Sequence, residues 1–158
     1  MSRIHVRTLA VCLLILPGCF SSKAIVPDGV APGSATEALG SIEVSSSRLG
    51  RMTVVPTSCF AGARQLFLGA DFADEKAGAV VRLVVDPVAS PAVRVFSSEA
   101  PFDKSIVFHR EECSAFHFTL DSTGWRINRI DDYRVTLDVD CSRDGESVRG
   151  RLSTTHCH

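Results

Sequence analysis

Residues 133–155 read YRVTLDVDCSRDGESVRGRLSTT, and Asp144-Gly145 at their centre decides how the rest of the chain is read. An Asp-Gly pair suits the two positive-φ positions of a type I′ turn, whose twist matches that of paired strands. Placing the turn there opposes Cys141 to Val148, Val139 to Gly150, Leu137 to Leu152 and Val135 to Thr154 on one face. The other face then sets Asp140 opposite Arg149 and Asp138 opposite Arg151. The apolar and the charged patterns select the same register, and a slip of one residue would turn the whole apolar set into water. The charged rows read as a solvated face, each exposed pair contributing about 0.2–1 kcal/mol.

Upstream the texture stays the same: short β-branched and aromatic runs broken by Gly, Pro, Asp and Ser. Strands are predicted at Ser41–Ser46, Arg51–Val55, Gln65–Phe72, Ala79–Asp86, Ala92–Phe96, Ser105–His109, Ser114–Asp121, Gly124–Ile130, Tyr133–Cys141 and Ser147–Thr155. Helical periodicity is sustained nowhere, with room for a helical turn within Glu37–Leu39 or Ser58–Gln65. Short strands at this spacing predict an all-β domain over residues 41–158, an antiparallel sandwich or barrel-like fold. Trp125 and Ile127 share a face with Tyr133, Val135 and Leu137, whereas Ile130 has the other parity. A bulge or corner within Asn128–Asp132 is therefore expected, with Asp121–Gly124 turning the chain before it.

The composition fits one globular domain. The chain has 158 residues, a formal charge of −1, 45% hydrophobic and 22% charged residues. Those proportions argue against a disordered, collagen-like or strongly nucleic-acid-binding chain.

The N-terminus carries a different signal. Arg3 and Arg7 precede Leu9–Leu16, a run with no polar side chain except the Cys12 thiol. Its eight residues fall far short of the roughly 20 that span a bilayer as a helix. Leu16-Pro17-Gly18-Cys19 follows, and in that position it resembles the lipobox of bacterial lipoproteins. The resemblance implies removal of residues 1–18, acylation of Cys19 and attachment to the lipid bilayer, which several acyl chains would make effectively permanent. Pro17 departs from the small or aliphatic residue usual there, and an ordinary cleaved signal peptide is the alternative. Lipoproteins retained at the inner membrane usually carry Asp after the lipidated cysteine; Phe20 here implies the outer membrane. Loss of Arg3 and Arg7 would leave 15 basic and 18 acidic side chains. Residues 20–40, FSSKAIVPDGVAPGSATEALG, read as a tether spanning on the order of 25 Å, unless Ala24–Val26 docks as a strand.

Four cysteines remain beyond Cys12 and Cys19: Cys59, Cys113, Cys141 and Cys157. An even number in an exported chain reads as two disulfides, each contributing about 2–4 kcal/mol. Continuing the last hairpin puts Cys157 opposite Asp132, roughly 30 Å along the ladder from Cys141. That distance opposes a Cys141–Cys157 bond. Parity and the expected turn at Asp121–Gly124 bring Cys113 toward Asp132 as well, favouring Cys113–Cys157 with Cys59–Cys141. Cys59–Cys113 with Cys141–Cys157 is the second possibility, and the remaining connectivity is the third.

The same convergence offers a metal alternative. His109, Cys113, His117, His156, Cys157 and His158 supply imidazole and thiolate groups suited to zinc or copper. No C-x₂-C or H-E-x-x-H spacing supports them, and an oxidising compartment favours disulfides over thiolates. For catalysis there is no G-x-S-x-G motif, and Gly62 and Gly69 make no phosphate loop. Asp71, Asp74 and Glu75 read as a polar hairpin loop, and the extended pair Asp131-Asp132 points to opposite faces. The chain therefore reads as a non-enzymatic, cofactor-free β domain that binds or supports an envelope partner, a protein or a ligand, and not nucleic acid. A small-ligand or glycan site using Trp125 or Tyr133 is a further alternative.

Overall fold

The computed structural model describes residues 38–101 and 103–158. The expected signal peptide, Cys19, Phe20 and nearly all of the tether lie outside the described residues.

The described chain forms two antiparallel five-stranded sheets, an open sandwich rather than a closed barrel. The first sheet contains β1 (Leu39–Ser46), β2 (Gly50–Val54), β8 (Cys113–Ile127), β9 (Ile130–Arg143) and β10 (Glu146–Thr154), in the order β2-β1-β10-β9-β8. The second is a meander of β3 (Ser58–Ala61), β4 (Gly69–Asp74), β5 (Ala79–Val84), β6 (Ala92–Ser97) and β7 (Ser105–His109). Short 3₁₀ turns at Gly62–Gln65 and Arg110–Glu112 follow β3 and β7.

Period-2 alternation places the core. Ile42, Val44, Val135, Leu137, Val139, Val148 and Leu152 face inward from the first sheet. Phe72, Val81, Leu83, Val93, Val95, Ile106 and Phe108 meet them from the second. The final hairpin has the register read from its turn, with Cys141 opposite Val148, Leu137 opposite Leu152 and Val135 opposite Thr154. Asp144 and Gly145 have φ of 51° and 78°, as a type I′ turn requires. On the outer face Arg149 pairs with Asp140 at 3.0 Å, and Arg151 pairs with Asp138. Gly150 lies within β10 where a Cβ would sit 2.2 Å from the Ser41 carbonyl oxygen, so β1 can lie flat against it.

Several strands depart from the expected list, among them the one expected at Gln65–Phe72, which begins only at Gly69 because Gln65 closes a 3₁₀ turn. Ser58–Ala61, where only a helical turn was allowed, forms β3, and the helical turn begins at Gly62. Residues 114–121 and 124–130 are not two strands flanking a turn. Both stretches, as far as Ile127, belong to the single strand β8, with an irregularity between Ser122 and Arg126 and Gly124 at φ 83°. The reversal comes later, at Asn128 and Arg129, with φ of 52° and 69°, pairing Ile127 with Ile130. This is a second two-residue hairpin, and it accounts for the parity slip that read as a corner. Asp71 also leaves the expected hairpin loop, lying within β4 opposite Arg82.

Moving the turn changes the disulfides. Cys113 is carried to the far end of β9, opposite Cys141, and bonds it with a Cα–Cα distance of 3.9 Å. A register shift between Cys113 and Ala115 adds a residue there and brings Cys113 onto the parity of the core. Cys157 bonds Cys59 at a Cα–Cα distance of 4.8 Å. The favoured pairing, Cys113–Cys157 with Cys59–Cys141, is thus corrected to Cys59–Cys157 with Cys113–Cys141. Its error was the assumed turn at Asp121–Gly124. The placement of Cys157 beside Asp132 holds: the Cys157 N–H donates to Asp132 Oδ1 at 2.9 Å, and Tyr133 N–H to the Cys157 carbonyl at 3.1 Å.

The two bonds differ in reach, spanning 98 and 28 residues of sequence. Loop-closure entropy assigns about 4.7 kcal/mol to the first and about 3.6 kcal/mol to the second. Urea unfolding should therefore show Cys59→Ser/Cys157→Ser losing about 1 kcal/mol more stability than Cys113→Ser/Cys141→Ser. A larger loss from the second pair would contradict the assignment of the long-range link to Cys59–Cys157.

Candidate functional site

Two polar constellations stand out on the domain. The first is built where the chain leaves β10. Thr154 is buried, and its hydroxyl both donates to the His156 carbonyl at 2.7 Å and accepts the His156 N–H at 3.2 Å, turning the segment. That turn presents His156 and Cys157 to Asp132, which is 1% exposed. His156 Nδ1 and the Thr123 hydroxyl donate to Asp132 Oδ2 at 2.8 and 2.7 Å, while the Cys157 amide takes Oδ1. His158 Nδ1 is 3.7 Å from Oδ1. Burial opposes the carboxylate charge, but the hydrogen bonds from His156, Thr123 and Cys157 outweigh it and hold the Asp132 carboxyl below its ordinary value.

The six residues of the metal alternative do not come together. Cys113 and Cys157 are bonded in different disulfides. His109 is exposed at the end of β7, where its N–H donates to Glu112 Oε2, and His117 is exposed on β8 opposite Asp138. Among the described residues, no group of three or more His, Cys, Asp or Glu side chains is placed to hold a metal ion. Trp125 is half exposed on the β8–β9 hairpin, whereas Tyr133 packs partly buried against the core.

The second constellation went unread in the sequence. On the outer face of the second sheet, strand pairing aligns Phe60, Asp71, Arg82, Arg94 and Val107 in one row. The adjacent row holds Ser58, Ala73, Val80, Phe96 and Ser105. Directly opposed like charges such as Arg82 and Arg94 destabilise a sheet unless each is compensated. Arg82 has that compensation: Nε and Nη2 each reach an Asp71 oxygen at 2.7 Å. Gln65 closes the group, donating to Asp71 Oδ2 at 3.0 Å and accepting from Arg82 Nη2. The Arg82 guanidinium also lies 4.4 Å from the Phe67 ring centroid and 5.1 Å from that of Phe96, a cation–π arrangement.

Arg94 is held differently. Its Nη2 donates to the Pro101 carbonyl and to Ser105 Oγ at 3.3 Å, and its ring neighbour is Phe96 at 5.3 Å. Its Nε is closed off from solvent and has no hydrogen-bond partner. Among the described residues Arg94 makes no ion pair. Together these side chains edge a cleft of about 330 Å³ bounded by Phe60, Gln65, Arg82, Arg94, Phe96 and Pro101. Its walls carry two guanidinium groups and one carboxylate, leaving one positive charge in excess. A larger depression of about 670 Å³ lies over β1, β2 and β10, but Glu43, Arg51 and Arg149 supply it with solvated charges of both signs.

The fold and these sites define a disulfide-linked antiparallel β-sandwich with a cationic, aromatic-walled cleft on one outer face. No protein family, curated protein or solved structure matches this chain.

The Asp132 constellation makes a pH-dependent contribution to stability. A carboxyl held below the usual value of about 3.9 stabilises the fold fully above that pH, and the contribution is lost as pH falls through the lowered value. Asp132→Asn should therefore flatten the acid limb of a plot of unfolding free energy against pH. Asp132→Ala, which strands the Cys157 amide and the Thr123 hydroxyl, should cost about 2–3 kcal/mol at pH 7. An unchanged acid limb in Asp132→Asn would contradict this account.

Proposed function

We propose that this chain is a membrane-anchored lipoprotein, held at the outer membrane through acylated Cys19, whose β-sandwich is a non-enzymatic binding module for an envelope partner or ligand. The observation that carries this reading is the state of the domain's cysteines. All four are joined in disulfides, and such bonds persist in exported proteins and are rare in the reducing cytosol. Leu16-Pro17-Gly18-Cys19 behind an apolar run supplies the anchor, and Phe20 supports the outer rather than the inner membrane.

A second reading, a sandwich that holds a small ligand, gains support from the cleft beside Arg94. Small-molecule sites combine apolar walls with a few placed polar groups, and the cleft's volume falls at the lower end of their usual range. This cleft draws its aromatic walls from Phe60 and Phe96, apart from Trp125 and Tyr133. The metal reading loses both of its thiolates.

The anchor is tested by fractionation. Cys19→Ser should move the chain from the membrane pellet to the soluble fraction, and mass spectrometry of the unsubstituted protein should show acylation at Cys19. A Cys19→Ser chain that stays in the pellet after a high-salt wash would contradict the anchor.

A further inference from the structure

We infer that the cleft on the outer face of β3–β7 is a binding site for a small carboxylate carried on a flat apolar body. The inference rests on the ligand-binding reading above and names the chemistry of the ligand. Strand register sets a charged row beside an apolar one: Asp71, Arg82 and Arg94 in the first, Ala73, Val80 and Phe96 in the second. A ligand lying across both rows needs an anionic end and an apolar end.

The anionic end belongs to Arg94. Arg82 has its fork committed to Asp71 and its faces covered by Phe67 and Phe96, so it acts as a fixed wall. Arg94 commits Nη2 to the neutral acceptors of Pro101 and Ser105, its Nε is shut away from solvent, and among the described residues it makes no ion pair. A guanidinium without a counter-ion, itself the one excess positive charge of the cleft, attracts an oxyanion, and a carboxylate matches its planar fork. Aromatic and aliphatic side chains from Phe60, Val80 and Phe96 supply the surface for the apolar end. Neither row is read by sequence motif; both arise from four consecutive strand pairings.

Benzoate is the probe, with benzamide as its neutral isostere and inorganic phosphate as an anion lacking the apolar end. Titrations would follow the Nε–H resonances of the arginines in the full chain in a neutral detergent. Benzoate is expected to shift the Arg94 resonance and saturate with a Kd on the order of 1 mM, at least about ten-fold tighter than benzamide. Arg94→Gln should erase the preference for benzoate over benzamide and Arg94→Lys should retain part of it, with the backbone amide spectrum showing that both variants stay folded. Equal shifts from benzoate and benzamide at these residues would overturn the carboxylate assignment while leaving a ligand cleft. Tighter binding of phosphate than of benzoate would overturn the apolar half. No shift at Arg94 or Phe96 from any of the three would overturn both this inference and the ligand-binding reading.

Discussion

The bond between Cys59 and Cys157 is the constraint on which the far corner of the domain depends. The two sheets meet mainly through apolar side chains, a non-directional attraction, with a few hydrogen bonds such as Arg143 Nη2 to the Val107 carbonyl at 3.1 Å. Cys59 sits on β3, the edge strand of the second sheet, and Cys157 follows β10 of the first, so this one link joins both layers covalently. Asp132 completes the arrangement from β9 by accepting the Cys157 amide and the His156 ring N–H. With the cysteine held on one side and the carboxylate on the other, the segment beyond Thr154 has a defined path. Cys113–Cys141 acts more locally, tying edge strand β8 to its neighbour.

The last hairpin was legible because three kinds of information agreed on it. Its turn residues, its apolar alternation and its charge pairs all specified one register, and Val139 does lie opposite Gly150. The neighbouring hairpin lacked that agreement. Asn128-Arg129 is a weaker turn signal than Asp-Gly, and Gly124 advertised a turn where the strand carries only an irregularity. Because a bulge changes parity, that single misplacement propagated to Cys113 and from there to both disulfides. β3 was missed for another reason: four residues, Ser58–Ala61, are too few to display a period.

The candidate sites divide along the same line. Proximity of Cys157 to Asp132 followed from extending a well-specified ladder, and the Cys157 N–H does donate to that carboxylate. Thr123 could not be read as a partner while Asp121–Gly124 stood as a turn. The row of Asp71, Arg82 and Arg94 depended on relative registers of three strands joined by loops without a decisive turn pair, Glu75–Gly78 and Val85–Pro91. Asp71 read as part of a polar hairpin loop, and Arg82 and Arg94 fell within predicted strands as isolated polar positions. The 3₁₀ turn that folds Gln65 over Asp71 removed that carboxylate from solvent, a tertiary effect with no local signature.

Together the disulfides and the two sheets describe a covalently linked sandwich, with the cleft beside Arg94 on the outer face of its second sheet. That description turns on which cysteines are joined, because the connectivity decides where β8 turns and where the C-terminal segment lies. Proteolysis of the oxidised protein without reduction, followed by mass spectrometry of the linked peptides, reads the connectivity directly. Peptides joining Cys59 to Cys157 and Cys113 to Cys141 are the predicted result. A peptide joining Cys113 to Cys157 would contradict the account, since it would move the turn of β8 and dismantle the corner around Asp132.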